Sequence, residues 1–374
     1  MKTSSLNSHS SNLHNRDPKV AIVHDWLIGG GAERVVEALH QMYPEAPIYT
    51  SFSTEQWRKK LNGKVITGYL QYWPFSKLRK YIPFLRGWWF QSLKLDNFDL
   101  VISSSGAEAK FIKTKAKHIA YIHAPTHYYW SRYDEYLRHP GFEPFDWLAR
   151  IGLKLLIGPM RAWDYRAVQR PDILIANSTH TQAKIKEYYG RESKVIHPPV
   201  DVEGFAKYAS KSRKGFVITG RQTPYKRVDL AVAACTKLGL PLTVIGNGPE
   251  HKKLVAMAGP TVKFVTNAKD EDVARIVGSS EAFIFPGVDD FGISAVEALA
   301  AGTPVIAYKA GGALDYVIEN QTGLFFTDQT DESLASSLTE FQLASPKLEV
   351  FKKYTKKFSI EIFTAKVSDV NRQS

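Results

Sequence analysis

The chain has 374 residues, 44% hydrophobic and 23% charged, and its 49 Lys and Arg against 37 Asp and Glu give a formal charge of +12. No apolar run reaches the roughly 20 residues that span a bilayer, and the N-terminal MKTSSLNSHSSNLHNRDP lacks the apolar stretch of a secretory signal, so the expectation is a cytoplasmic, non-spanning protein. The length favours two domains, the lone Cys235 excludes an internal disulfide and reads as a buried inert thiol, and the basic balance calls for an anionic partner: nucleic acid, a membrane surface or a phosphorylated substrate.

In chain order, residues 1–17, rich in Ser, Asn and His, read as a disordered tail. From Lys19 onward short β-branched runs alternate with helical stretches, the pattern of parallel sheets covered by helices. The first half offers KVAIVHDW, APIYTSF, KVITGYL, FDLVISSS, HIAYIHAP, DILIANS and KVIHPPV as strands. After the first of them comes DWLIGGGAERVVEAL, where Gly30 and Gly31 lead into a helix whose first amides could face an anion or a sugar, or merely form a tight turn. The dinucleotide fingerprint is absent, because Arg34 stands where its last glycine belongs.

Between Gln56 and Lys94 nine basic residues occur with no acid, interleaved with Trp57, Trp73, Trp88 and Trp89. Such a mixture suits the headgroup level of an anionic leaflet, or a solvated basic face over an aromatic core; no nucleic-acid-binding motif accompanies it. The segment IAYIHAPTHYYWSRYDEY then ends a strand with His123 and adds His127. Neither has a Cys or an acid at metal-ligand spacing, so a structural imidazole or one facing a sugar hydroxyl is expected rather than a zinc ligand.

PPVDVEGFAKYASKSRKG has no strand pattern and reads as an interdomain linker. The second half then supplies KGFVITGR, LPLTVIG, VKFVTN, EAFIFPG, TPVIAYK and TGLFF. In VITGRQTPYKRVDL, Arg221 follows a strand and Lys226 lies at the mouth of the next helix, a place suited to a diphosphate or to plain surface cations. Asp270 and Asp272 have a metal-like D-x-D spacing but read better as first-turn acids of a helix. In PGVDDFGISAVEALAAGTPVIA, Asp289 and Glu297 have no cation in their own stretch, so a ligand is a candidate partner. Ser294 and Glu297 equally match a capping box, which would make the glutamate structural. On spacing, the two readings of Glu297 balance.

Taken together these stretches resemble glycosyltransferase family 4 from about Lys19 to Ile362. DDFGISAVEALAAGTPVIAYKAGGALDYVIENQTGLFF is similar to that family's E-x-F-G-x-x-x-x-E-A block with its glycine pair, GRQTPYKRVDLAV to its diphosphate segment, ANSTHTQAKIKEYYGRESKVIHPPVD to its interdomain approach, and HDWLIGGGAERVV to its first glycine loop. The resemblance implies an α/β GT-B fold, two facing Rossmann-like domains with an interdomain cleft. Residues 18–198 would receive the acceptor, 199–354 the nucleotide sugar, and a C-terminal helix at about 355–374 would pack back on the first domain. It also implies transfer with retention of configuration and no metal or cofactor beyond the donor. By position Arg221 and Lys226 would face the donor diphosphate, Glu297 the ribose, Asp289 with Phe291, Gly292 and Ile293 the hexose, Val265 and Asn267 the base, and His123 the transferred sugar.

Two departures stand out: Asp289 occupies a place where the family usually has Glu, and His127 and Ser131 replace Arg and Asp in a segment otherwise closest to bacterial mannosyltransferases of surface-polysaccharide assembly. The expectation is a mannosyltransferase using GDP-mannose and a lipid-linked glycan at the inner face of the plasma membrane, its basic segment against anionic lipid. A soluble acceptor and a catalytically silent sugar-nucleotide-binding subunit are the rivals.

Overall fold

The computed structural model describes residues 18–78, 82–140, 145–341 and 348–373. The tail expected at 1–17, and Arg79 and Lys80 of the basic segment, lie outside them. Among the described residues thirteen strands form two sheets; twelve of the thirteen runs singled out above contain a whole strand, and HIAYIHAP holds all of its strand but Lys117. The first sheet comprises β1 (Val20–His24), β2 (Ile48–Thr50), β3 (Val65–Ile66), β4 (Leu100–Ser105), β5 (Lys117–Ile122), β6 (Ile173–Ala176) and β7 (Lys194–Val195), in the order β3-β2-β1-β4-β5-β6-β7. The second comprises β8 (Phe216–Thr219), β9 (Leu242–Ile245), β10 (Val262–Val265), β11 (Ala282–Phe285), β12 (Val305–Tyr308) and β13 (Gly323–Phe326), in the order β10-β9-β8-β11-β12-β13. Every pairing is parallel. The central strands β1, β4 and β11 are buried along their whole length, which is why they read as continuous apolar or small-residue runs rather than alternating ones.

In both sheets the order reverses beside the first strand of the half, between β1 and β4 and between β8 and β11. Loops at such a switch point diverge and leave a crevice at the carboxyl ends of the strands. The residues that the sequence singles out as a site lie mostly in those loops.

The chain crosses between the halves twice. Val200 leaves the first half and pairs with Ser359 on the return passage, its amide donating to the Phe358 carbonyl at 2.8 Å. Beyond Ser359, whose hydroxyl caps the final helix, Ile360–Arg372 runs over the first sheet and buries Phe363, Val367 and Val370 in its core. The presumed linker is more structured than its composition predicts. Val202–Ala206 is a short helix, and Val200 and Phe205 belong to the second core.

The basic segment also differs from its expected form. Arg86 is not a surface cation but is fully buried, its Nε donating to Glu108 at 2.8 Å. Trp57 and Trp89 are core residues. Lys60 and Lys64 pair with Glu37 and Glu45, and Arg58 donates to Thr67. Only part of the aromatic set, notably Trp73 and Trp88, stays exposed. The sequence hides these pairings because every acid involved lies outside the segment.

Candidate active site

The site is built where the loops after β8 and β11 meet the rim of the first domain. Close backbone approach makes the second-domain loops. A Cβ on Gly287 would come within 2.7 Å of the Tyr225 carbonyl, one on Gly246 within 2.2 Å of the Gly220 carbonyl, and one on Gly312 within 2.4 Å of Phe291. Larger residues at these three positions would separate the loops.

This packing carries Lys226 onto Asp289, 63 residues further along the chain. The pair corrects the expectation that Asp289 lacks a protein counter-charge: the cation comes from the neighbouring loop instead of its own stretch. Burial pulls the Lys226 ammonium down, but Asp289 and Tyr225 outweigh it and hold the ammonium above its ordinary value. One carboxylate oxygen of Asp289, Oδ1, is buried without a hydrogen-bond partner among the described residues. Arg221 is exposed one loop turn away, and its guanidinium makes no hydrogen bond or ion pair among the described residues.

Glu297 lies in the helix Ile293–Ala300, and the structure decides against the capping box. Gly292, at φ +87°, is the cap residue and Ser294 is already inside the helix, so no serine side chain caps this end. The Glu297 carboxylate makes no hydrogen bond or ion pair among the described residues. Burial pushes its pKa up to about 7, with Arg34 of the first domain acting in the opposite direction. The unfolded chain gives up this proton near the ordinary value of 4.5, whereas the folded chain keeps it to about 7. The folded state therefore binds more protons in that window, and stability falls as pH rises through it. Thermal unfolding across that window should show Glu297→Gln removing part of the fall; a slope equal to wild type would mean that the carboxylate is solvated.

On the first-domain side the glycine loop is not an open anion cradle. Glu33 turns back to accept the amides of Ile28 at 3.2 Å and Gly29 at 2.9 Å, so those donors are occupied. Gly30 lies over the Glu33 carboxylate, and Gly31 faces the second domain: a Cβ there would meet Ile293 at 2.8 Å. The site thus has no slack between Gly31 and the helix that carries Glu297.

His123 follows β5 and is partly buried; desolvation, then the neighbouring His24, push its pKa down to about 3, so the imidazole is neutral. Ser104 Oγ lies 2.7 Å from its Nε2 and 3.2 Å from His24 Nδ1, fixing the ring between β1 and β4. Nδ1 of His123 makes no hydrogen bond among the described residues.

Sequence reasoning missed three groups here. Asp290 bridges the halves: its carboxylate lies 2.9 Å from His127 Nε2 and 3.6 Å from Lys184 Nζ, and its carbonyl accepts from Ser178. Burial raises the Asp290 carboxyl, but His127, Lys184 and Arg132 more than reverse this and hold it below its ordinary range. Arg132 crosses the cleft, its guanidinium 3.6 Å from the centroid of the Tyr225 ring and its Nη2 donating to the Val288 carbonyl at 3.5 Å. His197 stacks on Phe291 at 5.5 Å. The two departures in the histidine segment explain each other, since His127 Nδ1 and Ser131 Oγ are 2.9 Å apart.

Val265 and Asn267 lie at the end of the edge strand of the second sheet. Val265 ends β10, two strands out from β8, its carbonyl taken by the Gly246 amide, and Asn267 is exposed beyond it. Asp272 and Glu271 pair with Arg275 in the first turn of their own helix. Among the described residues no three His, Cys, Asp or Glu side chains group to hold a metal ion.

Two family models match the chain in succession. Glycosyltransferase Family 4 covers residues 29–203 and Glycosyl transferases group 1 covers 184–358. The Anabaena protein HepE, solved in complex with UDP and glucose, superposes with a TM-score of 0.70 at 16% identity, over 96% of this chain and 100% of that one. The chain has the GT-B glycosyltransferase fold. Among curated relatives, a D-inositol 3-phosphate glycosyltransferase of Nocardioides sp. is 26% identical over 212 residues, 46% of this chain and 46% of its own. A GDP-mannose-dependent alpha-mannosyltransferase of Mycolicibacterium smegmatis is 29% identical over 176 residues, 44% of this chain and 46% of its own. The chain thus spans about half the length of the curated relatives it matches.

Proposed function

We propose that this protein is a metal-independent retaining glycosyltransferase that moves a hexose, mannose from GDP-mannose, to a lipid-linked glycan in surface-polysaccharide assembly at the cytoplasmic face of the membrane. The observation that carries the reading is Glu297: a carboxylate that makes no hydrogen bond or ion pair among the described residues, although burial raises its pKa to about 7. Ribose hydroxyls donating to it would satisfy it, and Arg221 and Lys226, in the loop after β8, suit a diphosphate.

In the proposed reaction an acceptor hydroxyl oxygen bonds to the anomeric carbon as the bond from that carbon to the diphosphate oxygen breaks. The hydroxyl proton passes to the departing phosphate oxygen. Negative charge grows on the diphosphate, where Lys226 is already fixed and Arg221 is free to fork onto two oxygens. His123, neutral and held through Nε2 by Ser104, presents its other nitrogen to a sugar hydroxyl. The free Oδ1 of Asp289 is a second acceptor for the hexose.

Thermal shift against a panel of nucleotide sugars in EDTA tests the donor site. A ligand bound only by the folded state adds about 2.7 kcal/mol at a hundredfold excess over its Kd. GDP-mannose should raise the melting temperature, and Arg221→Ala and Glu297→Gln should lose that response. A panel without any responding donor would overturn the proposal; a response to a different nucleotide sugar would overturn its GDP-mannose part. The inositol-phosphate relative keeps a soluble acceptor as a second reading, decided by which acceptor turns over.

A further inference from the structure

We infer that the helix Asp146–Val168, rather than the basic segment at 56–94, is the element that seats this protein on an anionic lipid bilayer. The inference rests on the acceptor being lipid-linked. The end of the helix is well anchored: Asp164, Ala167 and Val168 are buried, Trp163 packs edge-on to Phe111 at 4.9 Å, and Gly87 lies against Trp163. The beginning is different. From Asp146 to Trp163 no residue is buried, yet Trp147 is 60% exposed, Leu148 54%, Ile151 47% and Leu155 72%.

At about 100° of rotation per residue these four side chains fall in a single stripe about 100° wide. Arg150, Lys154 and Arg161 follow one another along its edge. Between Asp146 and Asp164 there is no acid at all. A lone exposed leucine on a protein surface needs no explanation, but a continuous apolar stripe with cations along one edge and no acid between Asp146 and Asp164 does. Its chemistry complements anionic headgroups above an acyl layer. Among the described residues no helix is long and apolar enough to cross a membrane, so this one would lie in the interface plane.

Two of the cations are held in place. Arg150 donates to the carbonyls of Leu137 and Arg138 at 3.1 and 3.0 Å, and Arg161 lies 5.2 Å from the rings of both Trp130 and Tyr133. Trp130 and Tyr133 belong to the segment that carries His127 and Arg132 to the second domain. The stripe is therefore one layer of side chains from the cleft, which places the cleft mouth within reach of an acceptor carried in the bilayer. Trp88, exposed on the neighbouring helix Pro83–Ser92 beside the Gly87 contact, extends the aromatic surface.

The test is co-sedimentation of the full chain with vesicles of phosphatidylcholine alone or with about 30 mol % phosphatidylglycerol, comparing wild type, Leu148→Glu/Ile151→Glu/Leu155→Glu and Trp73→Ala/Trp88→Ala. The expected result is at least about tenfold stronger binding to the anionic vesicles, loss of most of that gain in the triple glutamate variant, and a smaller loss in the tryptophan variant. Far-UV circular dichroism and the donor-induced thermal shift should stay at wild-type levels in both variants. Binding that survives the triple variant, or that is equal for the two vesicle types, would overturn the inference. So would a dimer in sedimentation velocity that the triple variant dissociates, since the stripe would then be covered by a second copy. A failed donor response with intact vesicle binding counts against the transferase reading alone.

Discussion

Lys226→Ala should lower the rate of glycosyl transfer by a factor of about 10² to 10³ while changing the KM for donor far less, as removal of a preorganised charge at a developing anion does elsewhere. The ammonium is already buried beside Asp289 before any ligand arrives. On the proposed reaction it would need no reorganisation as charge grew on the donor diphosphate. The same burial creates a confound, because the variant leaves the Asp289 carboxylate buried without its counter-charge, and loss of one partner of such a pair destabilises by about 3–5 kcal/mol. Lys226→Ala/Asp289→Asn separates the two effects. The double variant should recover much of the melting temperature and none of the rate. If the rate returns with stability, Lys226 acts only as a structural partner of Asp289.

The second large effect lies beneath the histidine segment. Asp164, on the long helix, accepts from Trp130 Nε1 at 2.8 Å, Tyr189 Oη at 2.6 Å and Thr126 Oγ1 at 2.9 Å, and pairs with Lys110 at 2.8 Å. Both ends of the ion pair are wholly buried. Asp164→Ala strands an ammonium and three donors in the core, at a cost of about 3–5 kcal/mol, which lowers a domain of this size by roughly 6–20 °C in Tm. Lys110→Met/Asp164→Leu, which removes both charges, should lose much less, since an apolar pair of similar size often replaces a buried ion pair nearly neutrally. Calorimetric unfolding tests both. Equal losses in the single and double variants would show that the hydrogen bonds to Trp130 and Tyr189, rather than the charge, hold the segment.

The strands were legible because parallel strands buried on both faces must be apolar throughout, and runs such as FDLVISSS and EAFIFPG have no other comfortable location. The glycine pair Gly311–Gly312 was legible only as part of the family block; its reason is structural, since a Cβ on either would run into the backbone of 289–291. What failed were pairings across sequence distance. Nothing near Asp289 announces Lys226, and nothing in YIPFLRGWWF announces that Glu108 draws Arg86 inside. The capping box, one of two readings that the spacing left in balance, fails for a local reason. Gly292 adopts a left-handed conformation and starts the helix two residues before the serine that the pattern requires. Asp290 was invisible because adjacent acids look alike until the fold sends one to Lys226 and the other to His127 and Lys184. The apolar stripe on Asp146–Val168 was present in WLARIGLKLLIG, but its spacing is equally that of a core helix.

The two passages between the halves lie side by side, with the Val200 amide bonded to the Phe358 carbonyl. A single connecting strand would let one half twist and slide freely over the other. Two, tied together, resist sliding and twisting and would leave one swinging motion, as of a door hung on paired pins. His197 and Phe291, stacked beside that line with Phe358, would lie near the axis of such a swing. Such a swing would part Gly31 from Ile293 and Arg132 from Tyr225 together, so a single movement would widen both sides of the cleft.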